Sequence, residues 1–238
     1  MTVQVALLPI HEQADSVYCE AWANTLNEAE RAQANRFRRS EDRTRYIAAH
    51  ALTRVMLGVA IGEAPRGLRL SAGSHGKPFL QDRDGVHFNL THTDGLVACA
   101  LHDAPVGCDA EPSDRVVDTD VFDLLAAHER RWLLGVRSGQ QRNQAFIRLW
   151  VVKEAFVKCL GLGLLLDPST YAFDLADGAA RLVEAPATIG CGPWTVPLLD
   201  VGPGHVFAIA TEGDGMKLPK QEWIAPRDLA LACVALRA

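Results

Sequence analysis

The spacing of hydrophobic and polar positions changes several times along this chain, and each change marks an element. Val3 to Leu8 is an apolar run of strand length. A helix is expected around Asn27 to Phe37. A longer one covers EDRTRYIAAHALTRVMLG, where Ile47, Ala51 and Val55 recur with Ala48 and Leu52 at helical spacing and Gly58 ends the pattern. After a glycine-rich loop, VHFNL, the turn THTDG and LVACALHD predict a β-hairpin, followed by a further strand into VGCDAE. Helices are expected over Thr119 to Arg137 and Asn143 to Leu160. Strands return at YAFDLA, RLVEA, WTVPLL and HVFAIAT, and a weakly patterned tail follows Gly215.

The order of these elements repeats. An apolar helix at Tyr46 to Leu57 precedes a hairpin whose second strand reads Val97-Ala98-Cys99-Ala100-Leu101. A second apolar helix, Trp150 to Leu160, precedes one that reads Phe207-Ala208-Ile209-Ala210-Thr211. The pattern predicts two α/β halves of similar plan, residues 1–104 and residues 105–238 with a C-terminal tail. A cleft between them is the expected place for a ligand.

Composition narrows the class. A chain of 238 residues with 48% hydrophobic content can bury an ordinary globular core. A formal charge of −5 argues against a protein that coats nucleic acid. With no basic leader and no membrane-length apolar run, the expectation is a cytoplasmic protein without membrane association. Cys19, Cys99, Cys108, Cys159, Cys191 and Cys233 form no C-x-x-C pair, so neither structural zinc nor a disulfide framework is expected.

Candidate chemistry begins at VGCDAEP. Side chains alternate along a strand, so Asp109 and Glu111 share a face, and two converging carboxylates raise a pKa or attract a hard divalent cation such as magnesium. Taken alone, the pair also fits a strand end dissolving into solvent. In LWVVKEAFVKCLG, Glu154 lies between Lys153 and Lys158. The stretch fits either an i, i+4 surface pair or an acid joining Asp109 and Glu111 at a metal, with Lys158 aimed at a phosphate. Lys77 in GSHGKPFL and Thr91 and His92 in NLTHTDG read as loop positions suited to the same ligand, or simply as solvated loop residues. Arg31, Arg36, Arg38, Arg39, Arg43 and Arg45 make a locally basic surface that would suit phosphates or an acidic partner.

Taken together in this order, RFRRSEDRTRY, GKPFL, FNLTH, VGCDAEP and LWVVKEAFVK resemble the signature blocks of the 4′-phosphopantetheinyl transferases, in the larger single-chain class that acts on carrier proteins of peptide and polyketide synthases. The resemblance covers about residues 31 to 165. It implies an α/β (α+β) fold of two pseudo-twofold-related halves, each a small, mainly antiparallel sheet packed with a long helix, with coenzyme A in the cleft between them and magnesium as the metal. It assigns Asp109, Glu111 and Glu154 to the metal and Arg45, Lys77, Pro78, Thr91, His92 and Lys158 to coenzyme A. Arg45 and His92 would lie near the 3′-phosphate, Lys158 would face the pyrophosphate, and Glu129 would help position the pantetheine side. Catalysis would rest on Glu154, Asp109 and Lys158. A serine of an apo carrier protein would attack the β-phosphate of coenzyme A and release 3′,5′-adenosine bisphosphate, with Glu154 accepting the proton directly or through metal-bound water.

Thr91 stands where the family usually has serine, which keeps the hydroxyl. Glu30 and Gln33 occupy positions where relatives often carry lysine, with Arg31 or Arg36 as possible substitutes. The competing expectations are a non-catalytic coenzyme A or nucleotide binder and a magnesium-dependent nucleotide hydrolase. A chain that supplies both halves is expected to be a monomer.

Overall fold

The computed structural model describes residues 2–176, 178–189, 192–202, 204–213 and 219–236. From the N terminus come β1 (Gln4–Pro9), the short helices α1 (Cys19–Ala23) and α2 (Glu28–Ala34), and the 22-residue α3 (Ser40–Ile61). Two short strands, β2 (Leu70–Ala72) and β3 (Pro78–Leu80), flank a tight loop. The hairpin β4 (His87–Thr93) and β5 (Leu96–His102) follows, then β6 (Val106–Pro112). Next are α4 (Ala127–Gly135) and the 22-residue α5 (Gly139–Leu160), then β7 (Ala172–Ala176), β8 (Ala179–Glu184), β9 (Thr195–Val201) and β10 (His205–Thr211). The chain closes with β11 (Lys220–Trp223) and α6 (Pro226–Ala235). The mixture of helices and mainly antiparallel sheets is the α+β class expected from the pattern. Cys191 and Gly215 lie outside the described residues; the other five cysteines are buried, and none of them is in a disulfide among the described residues.

The chain divides into two units. The first comprises Met1–Ser71, Pro78–Asp103 and Pro219–Ala238, the second Ala72–Lys77 and Ala104–Leu218. The tail that the pattern left weakly assigned thus belongs with the first unit. Its strand β11 pairs in parallel with β1, and Leu229, Ala230 and Cys233 of α6 enter the first core. The 72–77 loop likewise belongs with the second unit, although strands of the first flank it.

In the first unit the strand order is β11-β1-β5-β4, and α3 supplies Ile47, Ala48, Ala51, Leu52 and Val55 to a core shared with Leu8, Trp22, Leu26, Val97 and Cys99. Acidic Glu41 and Asp42 lie in the first turn of α3, where the helix dipole favours them. The helix runs through Gly58 and ends at left-handed Gly62 (φ 73°). Gly58 is therefore not the stop that the sequence pattern indicates. A Cβ there would lie 2.6 Å from the Glu63 carbonyl oxygen and 3.1 Å from Pro65 Cγ, so the residue makes room for the chain that folds back beneath the helix.

In the second unit the order is β6-β10-β9-β8-β7, antiparallel throughout. The long helix α5 begins at Ser138, whose hydroxyl accepts from the Gln141 amide, and ends at left-handed Gly161. Phe146, Leu149, Val152 and Phe156 of α5 pack with Tyr171, Phe173, Trp194, Val196 and Ala208. The helix predicted over 119–137 is interrupted: Thr119–Leu124 is a tight 3-10 segment, and α4 begins only at Ala127. No helix among the described residues is long and apolar enough to cross a membrane.

Candidate active site

The acidic cluster of the candidate site is assembled where β6 meets α5, within the second unit. Gly107 governs the approach: a Cβ on it would lie 2.1 Å from the Ala155 carbonyl oxygen, 2.3 Å from Cys159 N and 2.8 Å from Cys159 Cα. Gly107 thus faces the backbone of α5, and by strand alternation Asp109 and Glu111 point the same way. The helix answers with Glu154 and Lys158, one turn apart. Lys158 Nζ donates to Asp109 Oδ1 at 2.5 Å. Asp109 is 5% exposed, whereas Glu111 is half-buried and bonded to Arg115 four residues on.

Three acids share this region electrostatically. Burial raises the Glu154 carboxyl above the usual carboxylate range, and the negative charges of Asp109 and Glu111 raise it further against the opposing effect of Lys158. Burial opposes the charge on Lys158, but the charge of Asp109 and the bond to it prevail and hold the ammonium above its ordinary value. Among the described residues, no group of three or more His, Cys, Asp or Glu side chains forms a ready-made metal cage. Asp109 and Glu111 are each bonded to a cation of the chain itself. The donors nevertheless suit a hard divalent ion: all are carboxylate oxygens, and their mutual repulsion raises Glu154 in the way a bound cation would reverse.

Lys153, adjacent to Glu154 in sequence, points elsewhere. Its ammonium donates to Glu129 Oε2 and to the Tyr171 carbonyl oxygen, each at 2.7 Å, and lies 4.0 Å from the centroid of the Tyr171 ring. Glu129 also accepts from the Phe173 amide at 2.9 Å and the Ala126 amide at 3.2 Å. Both residues are 1% exposed. These contacts of the Glu129 carboxylate, from Lys153, Phe173 and Ala126, are with the protein's own interior and give this acid a structural role. Composition does not reveal this pair; the signal available in the sequence was a lysine on the apolar side of an otherwise amphipathic helix.

Lys77 is also occupied. Its ammonium donates to the carbonyl oxygens of Val106 (2.9 Å) and Cys159 (2.8 Å), and burial pushes its pKa below the ordinary lysine value. Pro78, which follows it, is half-buried at the start of β3.

The remaining candidates lie in the first unit. Thr91 and His92 are on strand β4 rather than in the hairpin turn, opposite Ala98 and Val97; Thr91 is buried and His92 exposed. The turn is tightened to Asp94-Gly95, because β pairing continues through Thr93 and Leu96. Arg45 reaches this turn through an ion pair with Asp94 and also contacts Glu12 at 3.1 Å. Glu30, a position at which the resemblance leads one to expect lysine, is a structural acid. It completes a capping box with Asn27 and accepts from fully buried Arg54 at 2.7 Å. Arg31 donates to the Leu26 carbonyl oxygen, and Arg36 is exposed beside Gln33. A groove of about 590 Å³ in this unit, bordered by Val55, Met56 and Val59, contains none of the candidate residues.

Comparison with known proteins agrees in both units. The model of the 4′-phosphopantetheinyl transferase superfamily matches residues 105–210, and that of the 4′-phosphopantetheinyl transferase N-terminal region matches residues 14–103. The chain is 33% identical over 202 residues to 4′-phosphopantetheinyl transferase HetI of Nostoc sp., covering 81% of each chain. It is 25% identical over 199 residues to 4′-phosphopantetheinyl transferase Sfp of Bacillus subtilis, covering 80% of this chain and 84% of that one. The crystal structure of Thermotoga maritima holo-[acyl-carrier-protein] synthase (AcpS) gives a partial likeness, with 22% identity, TM-score 0.38, and coverage of 47% of this chain and 64% of the other. With one relative a third identical across four-fifths of both chains, and with family models matching on either side of residue 104, this chain belongs to the 4′-phosphopantetheinyl transferase family.

Proposed function

We propose that this transferase moves the 4′-phosphopantetheine arm of coenzyme A onto a serine of an apo carrier protein, with magnesium, and releases 3′,5′-adenosine bisphosphate. The observation that carries the reading is the joint placement of Asp109, Lys158 and Glu154, an acid-cation-acid cluster built by strand–helix packing in which burial, and then the neighbouring acids, raise one carboxyl. A binding module has little use for acids that repel one another when empty.

Asp109, Glu111 and Glu154 would hold the ion, which when bound supplies charge neutralisation on the pyrophosphate. The chain's own residues do the rest. Lys158, kept protonated by Asp109, presents a fixed positive charge to the phosphates. The serine oxygen forms its bond to the β-phosphorus as the bond to the bisphosphate oxygen breaks, and Glu154 takes the hydroxyl proton. Arg45, Thr91 and His92 are assigned to the nucleotide end. Arg45 would exchange its carboxylate partners for a phosphate.

The test is incubation of the protein with magnesium, coenzyme A and a panel of apo carrier proteins, followed by intact-mass spectrometry. A carrier that gains one phosphopantetheine arm, with the gain abolished by chelator, supports the reading. Tight coenzyme A binding without modification of any carrier would support a non-catalytic binder instead. Release of a nucleotide without a carrier adduct would support the hydrolase.

A further inference from the structure

The second unit contains a lysine whose contacts are those of a fastener. Lys77 closes the 72–77 loop, and its ammonium bridges two main-chain carbonyls that are distant in sequence: Val106, the first residue of β6, and Cys159, in the last turn of α5. The carbonyls of a helix's last turn lack intrahelical donors and carry the negative end of its dipole, so a cation there fills two needs at once. Its aliphatic stem has a fitted seat. A Cβ on Gly161, which has φ 69° and ends α5, would lie 3.1 Å from Lys77 Cδ and 3.5 Å from its Cβ.

The next contacts continue along the same seam. Gly107, one residue beyond Val106, meets the α5 backbone at Ala155 and Cys159. Asp109, two further on, is bonded to Lys158, the neighbour of Cys159. The bridge, the glycine contact and the ion pair form one ladder between strand and helix. Lys77 sits at one end of this ladder and the acidic cluster lies toward the other.

We infer that Lys77 is a positioning residue: its ammonium fixes the spacing of β6 and α5 and so holds Asp109 in register with Glu154 and Lys158. The inference rests on the transferase reading only for the activity to be measured. A ligand-binding role would require Lys77 to release both carbonyls, leaving the helix end without its side-chain donor.

The test uses the full-length chain with Lys77→Met, which keeps the stem and removes the donors, and Lys77→Arg, which keeps charge and donors. Two readouts are needed: amide hydrogen exchange across residues 157–161 without ligand, and kcat and KM for coenzyme A at saturating magnesium. For Lys77→Met, exchange at the helix end should accelerate by about tenfold or more, the scale of one lost charged hydrogen bond. Its kcat should fall by a similar factor, with KM changed by less than about threefold. Lys77→Arg should recover most of both. If Lys77→Met does not fold, Lys77→Gln, which retains a donor group, takes its place and should show faster helix-end exchange and lower kcat than Lys77→Arg, each by about threefold or more. A KM rise of about tenfold or more with unchanged kcat and helix-end exchange would assign Lys77 to the ligand and overturn the inference. If the wild-type protein transfers to no carrier, the functional reading fails, and the exchange measurement alone still decides whether Lys77 fastens the helix.

Discussion

Replacing Gly107 by alanine adds one methyl group at the point where strand and helix backbones touch. The new Cβ would sit 2.1 Å from the Ala155 carbonyl oxygen and 2.3 Å from Cys159 N, both backbone atoms that no rotamer change can move aside. Restoring an ordinary contact near 3.4 Å requires α5 and β6 to separate by 3.4 − 2.1, or about 1.3 Å. Overpacking of this kind costs about 1–3 kcal/mol, and at about 2–4 °C per kcal/mol for a chain of this size the midpoint should fall by roughly 2–12 °C. The separation also draws Lys158 and Glu154 away from Asp109. A misplacement of about 1 Å in a catalytic constellation can reduce rate on the order of a hundredfold, so kcat should suffer more than stability. Thermal melting and carrier modification, measured on the same preparation, check both effects. Gly107→Ala protein that melts like the parent and transfers at the parent rate would refute the claim that backbone contact at Gly107 sets the site.

Three further predictions follow from the charges. Glu154→Gln removes a carboxylate held near two others, so the metal-free protein should melt higher, by about 2 °C, while transfer is lost; scanning calorimetry in chelator and the carrier assay report the two arms. Lys153→Met leaves Glu129 charged in the core and should destabilise by about 3–5 kcal/mol in urea titration, whereas Lys153→Met with Glu129→Gln should recover part of that loss. In the first unit, burial would raise the Glu30 carboxyl, but bonds to His50, Arg54 and the Asn27 amide, together with the charge of Arg54, hold it at about 2, below its usual 4.5. A depressed acid stabilises the fold above its unfolded pKa, and that stability drains away as pH falls from 4.5 toward 2. The loss should be on the order of 3 kcal/mol, and Glu30→Gln should flatten that part of the pH–stability curve.

The pattern of the chain made most of the elements legible, because helical and strand periods are local properties. The strand over VGCDAE and the helix ending at Leu160 formed where spacing placed them, and the hairpin formed with its turn shortened from THTDG to Asp94-Gly95. Element ends were less legible. The pattern stops α3 at Gly58, but that glycine serves a close contact with the loop below, and the stop comes at Gly62. The tail after Pro219 gave little signal because β11 is four residues long and has no buried position, and it acquires its role only by pairing with β1.

For the candidate site, sequence by itself determined which residue types stand on which face: Asp109 and Glu111 alternate onto one side of a strand, and Glu154 and Lys158 fall one turn apart on a helix. Those relations follow from backbone period alone. Only the tertiary structure decided which of the lysines is bonded to Asp109, that Lys153 belongs to Glu129 in the core, and that Lys77 bridges two carbonyls. Such pairings depend on how closely two backbones approach, and here that distance is set by a missing side chain at Gly107, whose effect is felt only when β6 and α5 are packed together.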